Sequence, residues 1–211
     1  MCSGAGRYFH SKRGLSEENR SLRGKIGDLS LRIDQLKELR NENKRLRALL
    51  RFEKGTGFDT VPAEVVARDP NDWVGSFVID KGTADGVHKG AAVCSAKGLL
   101  GEVVESGENT SSVMLITHPN FRAGAMLKGT RVNGIVEGAG KGMVKIKYIP
   151  IDADVRKGMI VITSGLSRVF PKGINIGEIV LVEKSRTGLY KNATVKPSAN
   201  LFDQEIVLCI K

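Results

Sequence analysis

The chain has 211 residues, enough for one or two compact units, and no run of roughly 18 apolar residues that would cross a membrane as a helix. Its net charge of +10 is uneven, because residues 1–54 hold 14 Lys and Arg against 7 Asp and Glu. Three scattered cysteines, Cys2, Cys94 and Cys209, exclude a disulfide framework, and three histidines with no ligand at metal-binding spacing exclude a zinc site.

Residues 1–14 have no apolar periodicity and no secretory-signal core. From Leu15 an apolar ladder begins: Leu22, Ile26, Leu29, Ile33 and Leu36 follow at steps of seven, four, three, four and three. That spacing keeps one narrow stripe on one side of a helix, as in the seam of a coiled coil. A three-residue insertion after Leu36 shifts the stripe to Leu39, Asn43, Leu46 and Leu50 and locally overwinds the supercoil. Isoleucine at a with leucine at d favours two parallel strands, and asparagine at a fixes register. The helix is expected from about Ser16 to Phe52, weakened by Gly24 and Gly27 at about 1 kcal/mol each. The dimerisation residues are therefore Leu22, Ile26, Leu29, Ile33, Leu36, Leu39, Asn43, Leu46 and Leu50. The basic surplus suits anionic lipid or nucleic acid, but mixed charges such as Asp34 and Glu38 beside Lys37 and Arg40 read as a solvated coiled-coil exterior.

Gly55-Thr56-Gly57 reads as a hinge, and twenty of the 25 glycines lie beyond Lys54. Strands are expected at Ala63–Arg68, Ser76–Asp80, Leu99–Glu105, Ser112–Thr117, Met143–Ile149, Gly177–Glu183 and Glu205–Ile210. In Met143–Ile149, Val144, Ile146 and Tyr148 should face one way and Lys145 and Lys147 the other. Val87-His88-Lys89-Gly90-Ala91-Ala92-Val93 is echoed by Val155-Arg156-Lys157-Gly158-Met159-Ile160-Val161. Each precedes a glycine-centred strand, which points to two related β units. Gly86, Gly90, Gly101, Gly158, Gly165 and Gly177 are read as architectural, at turns or close backbone approaches. Cys94 and Cys209 lie in apolar runs and read as buried thiols, with a bridge between them left open.

Catalytic motifs are absent: there is no nucleophile elbow, P-loop or zincin helix. Ser164 and Ser167 beside Gly165 invite a protease comparison, with His88 or His118 and Asp85 or Asp152 as partners, but a turn is the simpler reading. Asp80, Asp85 and their glycines lack the ligand ladder of a calcium loop. No catalytic residue, metal ligand or cofactor is expected. Trp73 reads as a buried anchor. Phe121, beside the rigid turn Thr117-His118-Pro119-Asn120, is the candidate for contact with a protein partner, with core packing as the simpler reading.

From Ala63 to Val207 the chain resembles the MreC rod-shape-determining family. The resemblance is carried by Arg68-Asp69-Pro70 with Trp73, Ile79-Asp80-Lys81-Gly82, Asp85-Gly86-Val87, Gly98-Leu99-Leu100-Gly101, Thr163-Ser164-Gly165-Leu166, and Phe170-Pro171-Lys172-Gly173-Ile174 with Ile176-Gly177. It implies a mainly β fold: a long coiled-coil helix followed by two small β-barrels, the second inserted in the first. On that plan residues 1–14 are disordered or a juxtamembrane remnant and residues 15–54 are the coiled-coil dimerisation helix. Residues 60–97 and 158–211 form the first barrel, and 98–157 the second.

The resemblance further implies a non-enzymatic scaffold of the cell-wall elongation machinery on the extracytoplasmic (periplasmic) side of the bacterial inner membrane. Its partners would be a second copy, with self-assembly beyond the dimer, a class B penicillin-binding protein, MreD and indirectly MreB. The family's membrane-anchor helix has no counterpart in these residues. The rival reading is a periplasmic adaptor of an efflux or secretion system, which usually carries an internal helical hairpin. A DNA-binding zipper would cluster its basic residues upstream of the heptads, whereas here they continue to Lys54, so no nucleic-acid partner is expected.

Overall fold

The computed structural model describes residues 5–68, 75–130, 132–166, 169–185 and 188–211, without the side chains of residues 5–19, 21, 54 and 56. Cys2, Asp69, Pro70, Trp73 and Ser167 therefore lie outside the described residues. The chain divides into two compact units, Met1–Ala48 and Leu49–Lys211.

Helix α1 runs from Ala5 to Thr56, 52 residues or about 78 Å at 1.5 Å per residue. It starts earlier than Ser16, and residues 5–14, expected to be disordered or a juxtamembrane remnant, are helical. That stretch contains no proline and includes the helix formers Arg7, Lys12 and Arg13, while Gly14 weakens a helix without ending it. The supposed hinge is the helix end. Gly57 has φ +67°, and its N–H donates to the Glu53 carbonyl at 3.0 Å, a left-handed C-cap.

Twelve strands follow, in two closed antiparallel barrels. The first contains β1 (Thr60–Arg68), β2 (Ser76–Ile79), β3 (Ala92–Ser95), β4 (Gly98–Ser106), β5 (Ser111–Leu115) and β12 (Ile206–Ile210), in the order β1-β12-β3-β4-β5-β2. The second contains β6 (Arg122–Leu127), β7 (Asn133–Gly140), β8 (Met143–Pro150), β9 (Ile160–Thr163), β10 (Asn175–Lys184) and β11 (Tyr190–Pro197), in the order β10-β11-β8-β7-β6-β9. The second barrel is thus inserted between β5 and β12 of the first.

The expected borders at 98 and 158 are wrong. β4 and β5 belong to the first barrel, and β9, β10 and β11 to the second. Only Ala96 and Lys97 separate β3 from β4, and a two-residue connection forces the two strands to pair as a hairpin. The echoed segments mark equivalent places inside each barrel, not borders. In the first barrel Gly90 N–H donates to the Val103 carbonyl at 2.7 Å, and Val103 N–H to Ala91 at 2.9 Å. In the second, Gly158 N–H donates to Ile179 at 2.8 Å and Ile179 N–H to Met159 at 2.9 Å.

Alternation along β8 also breaks. Tyr148 has φ +60° and is 53% exposed, while Ile149 is fully buried. The register against β11 shifts between Lys191 and Ala193, and such a bulge turns the next side chain to the other face. Tyr148 therefore does not join Val144 and Ile146 inside.

One apolar core runs through both barrels, with Phe77, Ile79, Leu99, Leu115, Ile146 and Ile176 among its buried residues. Phe52 and Phe58 pack against it from the last turn of α1 and the link to β1. Where the barrels meet, a β-carbon on Gly98 would collide with the Asn175 carbonyl oxygen. Arg68 fastens the return from β11 to β12: its guanidinium donates to the carbonyls of Leu201 and Gln204, each at 3.2 Å, and lies 5.4 Å from the centre of the Phe77 ring. Burial lowers its pKa, and nearby Asp203 opposes that shift.

Candidate interaction surfaces

The stalk residues are open to solvent in this single chain. Leu22, Ile26, Leu29, Ile33, Leu36, Leu39, Leu46 and Leu50 are each between 40% and 65% exposed. Large aliphatic side chains repeated along one helix form a face that a second helix can cover. Asn43 is exposed and accepts a hydrogen bond from Arg47 Nε at 2.6 Å along the same helix. Leu31, exposed at 66%, lies outside the heptad row.

Phe121 is not a contact residue. It is fully buried, with its ring edge-on to Phe170 at 5.7 Å. The segment from Thr117 links the barrels as a tight turn, in which Phe121 N–H donates to the His118 carbonyl at 2.9 Å and Gly140 N–H to Thr117 at 3.0 Å. That turn drives the ring inward.

The second barrel offers another apolar surface. Tyr148 and Tyr190 stand edge-on, ring centres 5.8 Å apart. Tyr190 pairs with Pro150 across β11 and β8, which places Leu189 beside Ile151. Ile135 on β7 pairs with Lys147, the neighbour of Tyr148. All five are exposed, from 40% at Ile151 to 67% at Leu189. Charges border them: Glu137 is held between Arg122, at 3.2 Å, and Lys147, and Lys145 meets Glu183 at 3.4 Å. The sequence signal for this surface was weak, because Tyr148 reaches it only through the bulge.

The glycines divide into two kinds. Gly86, Gly90, Gly158 and Gly165 take positive φ, between +74° and +92°. Gly101 and Gly177 sit inside β4 and β10 rather than at turns, and a β-carbon there would strike the carbonyl oxygens of Met114 and Lys196.

Chemistry is not assembled at the serine. Ser164 is buried, and its Oγ accepts from Leu166 N–H at 3.3 Å, as in a turn. No group of three His, Cys, Asp or Glu side chains among the described residues is placed to hold a metal ion. Cys94 and Cys209 are buried free thiols. Cys209 pairs with Val93 and Cys94 with Leu208 on the neighbouring strand. Burial pushes the Cys209 thiol up to about 12, and burial together with nearby Cys209 raises the Cys94 thiol as well.

Residues 65–211 match the family model described as rod shape-determining protein MreC, barrel core. The chain belongs to the MreC family. It is 37% identical over 207 residues to the cell shape-determining protein MreC of Bacillus subtilis, covering 92% of this chain and 71% of that one. The Listeria monocytogenes MreC is 34% identical over 200 residues, with 92% and 68% covered. Among solved structures, an MreC chain aligns with a TM-score of 0.76 at 28% identity, over 82% of this chain and 99% of that one. The MreC of a complex with penicillin-binding protein 2 from Helicobacter pylori shares the fold at 19% identity and a TM-score of 0.62, over 72% of this chain and 98% of that one. No helix among the described residues is long and apolar enough to cross a membrane.

Proposed function

We propose that this MreC chain is a non-enzymatic scaffold for cell-wall elongation, working on the extracytoplasmic side of the inner membrane. It dimerises through the Leu22–Leu50 row and presents the second barrel to a class B penicillin-binding protein, with MreD as a further partner. The observation that carries the partner assignment is the exposed group of Tyr148, Tyr190, Leu189, Ile151 and Ile135. Aromatic residues ringed by charge are the usual anchors of a protein contact. The Helicobacter complex supports the choice of partner, since there a chain of this fold meets a penicillin-binding protein.

The test is an affinity measurement between the full chain and the extracytoplasmic part of its cognate class B penicillin-binding protein. We expect the double variant Tyr148→Ala/Tyr190→Ala to bind at least tenfold more weakly with unchanged circular dichroism. Wild-type protein that stays unbound at high micromolar concentration, with the stalk dimer intact, would overturn the scaffold reading. Wild-type binding that the double variant retains in full would move the contact to another surface.

A further inference from the structure

The end of β11 away from Tyr190 borders an open cleft. β11 begins at Tyr190 and ends at Pro197, about 23 Å at 3.3 Å per residue. Its last residues, Lys196 and Pro197, line the cleft with Gly142 from the β7–β8 turn, Lys97 from the β3–β4 turn, and Leu201 and Phe202 from the return to the first barrel. The enclosed volume is about 290 Å³. Both barrels therefore build it.

The backbone fixes these walls. The Lys196 carbonyl oxygen occupies the space of a Gly177 β-carbon, and Ser198 N–H donates to the Ile176 carbonyl at 3.1 Å, so the chain leaving β11 stays against β10. Asn200 then ties a turn. Its Oδ1 accepts from Phe202 N–H at 3.2 Å, and its Nδ2 donates to Asp203 Oδ2 at 2.5 Å. That turn sets Phe202 against Gly142, where a β-carbon would come within 4.0 Å of the ring. Leu201 is buried and Phe202 half-buried, so the floor is apolar. The border is cationic. Lys97 and Lys196 are exposed, and among the described residues neither ammonium has an ion-pair partner. Two carboxylates stand nearby. Asp203 is engaged by Asn200 and opposite Arg68, and Glu178 is in register with Lys196 without closing an ion pair.

We propose that this cleft docks an acidic peptide segment of a partner protein. One apolar side chain would rest on Leu201 and Phe202, between carboxylates that meet Lys97 and Lys196. A free inorganic anion fits less well, because it leaves the apolar floor wet. A lipid chain needs more room, since ligand pockets run from about 300 to 1,000 Å³. A second copy of this chain is also a poor occupant. It too carries a net charge of +10, which brings like charge to a cationic border.

The experiment is a fluorescence-anisotropy titration of the full chain with the fluorescein-labelled hexapeptide Glu-Asp-Leu-Leu-Glu-Asp and a twin carrying glycine for leucine. The leucine peptide should bind about tenfold more tightly than its twin, because only it covers the floor. Lys97→Gln/Lys196→Gln should weaken it about tenfold. The control Lys128→Gln/Lys157→Gln removes the same charge from exposed positions on the second barrel and should leave affinity nearly unchanged. Phe202→Ala should erase the preference for leucine. If that variant melts early, the ratio of the two peptides on the unaltered chain still decides. Equal binding of the twins, or equal losses in the two lysine variants, would overturn the site in favour of bulk charge attraction. Displacement of the peptide by inorganic phosphate at equal concentration would overturn it in favour of a simple anion site. So would, in favour of a lipid surface, binding to phosphatidylglycerol vesicles without binding to the leucine peptide, and no binding at millimolar peptide would end the proposal. Tyr148→Ala/Tyr190→Ala should bind the peptide as the unaltered chain does, which keeps this test separate from that of the penicillin-binding-protein contact.

Discussion

At Gly101 and Gly177 there is no room for a side chain, because a β-carbon would enter the carbonyl oxygen of Met114 or of Lys196 on the neighbouring strand. Those oxygens belong to paired backbone and cannot rotate aside. Gly101→Val and Gly177→Val should each cost about 3 kcal/mol or more and lower Tm by roughly 10 °C in thermal circular dichroism. Gly24→Ala, where nothing lies within 4 Å, should instead stabilise the stalk by up to about 1 kcal/mol. The thiols predict an alkaline weakness. In the folded chain Cys209 titrates at about 12, against about 8.5 when unfolded, so above pH ~8.5 the unfolded state holds fewer protons and stability falls with rising pH. The urea midpoint should drop between pH 8.5 and 11, and Cys94→Ala/Cys209→Ala should flatten that drop. Gly101 and Gly177 were legible because the echo marked them twice. Phe121 was not, since a ring beside a proline turn reads the same whether it points in or out.

For the stalk element, Leu29→Glu/Leu36→Glu should convert dimers to monomers in sedimentation equilibrium, because both positions lie in the exposed seam. A double variant that stays dimeric would assign self-association to the barrels. Seven of the twelve strands follow from apolar or β-branched runs in the sequence. β3 and β9, four residues each, overlap the ends of the echoed segments. The other three fail that test for physical reasons. β6 and β7 are rich in alanine and glycine, whose small side chains carry little β preference. β11 mixes lysine, asparagine and threonine among its few buried positions. The aromatic group on the second barrel was hidden for the same reason: it is assembled by register between β7, β8 and β11, and a bulge has no signature in local periodicity.

At the scale of the whole head, the order of the barrels along the chain was harder to read than their existence. The resemblance carried the insertion, but its borders depended on which strand pairs with which. Arg68 shows how the return is secured, since one guanidinium joins β1 to the segment leading into β12. Arg68→Ala should lower unfolding free energy by about 2 kcal/mol in urea melts. The insertion also sets an order of events during synthesis. β12 closes the first barrel between β1 and β3, yet it follows every strand of the second barrel in the chain. Until β12 has left the ribosome, β1 and β3 keep a row of unsatisfied amides facing each other across a gap. A nascent chain arrested or clipped before Glu205 would hold a complete second barrel on an open first one. It should be the aggregation-prone species that quality-control proteases meet.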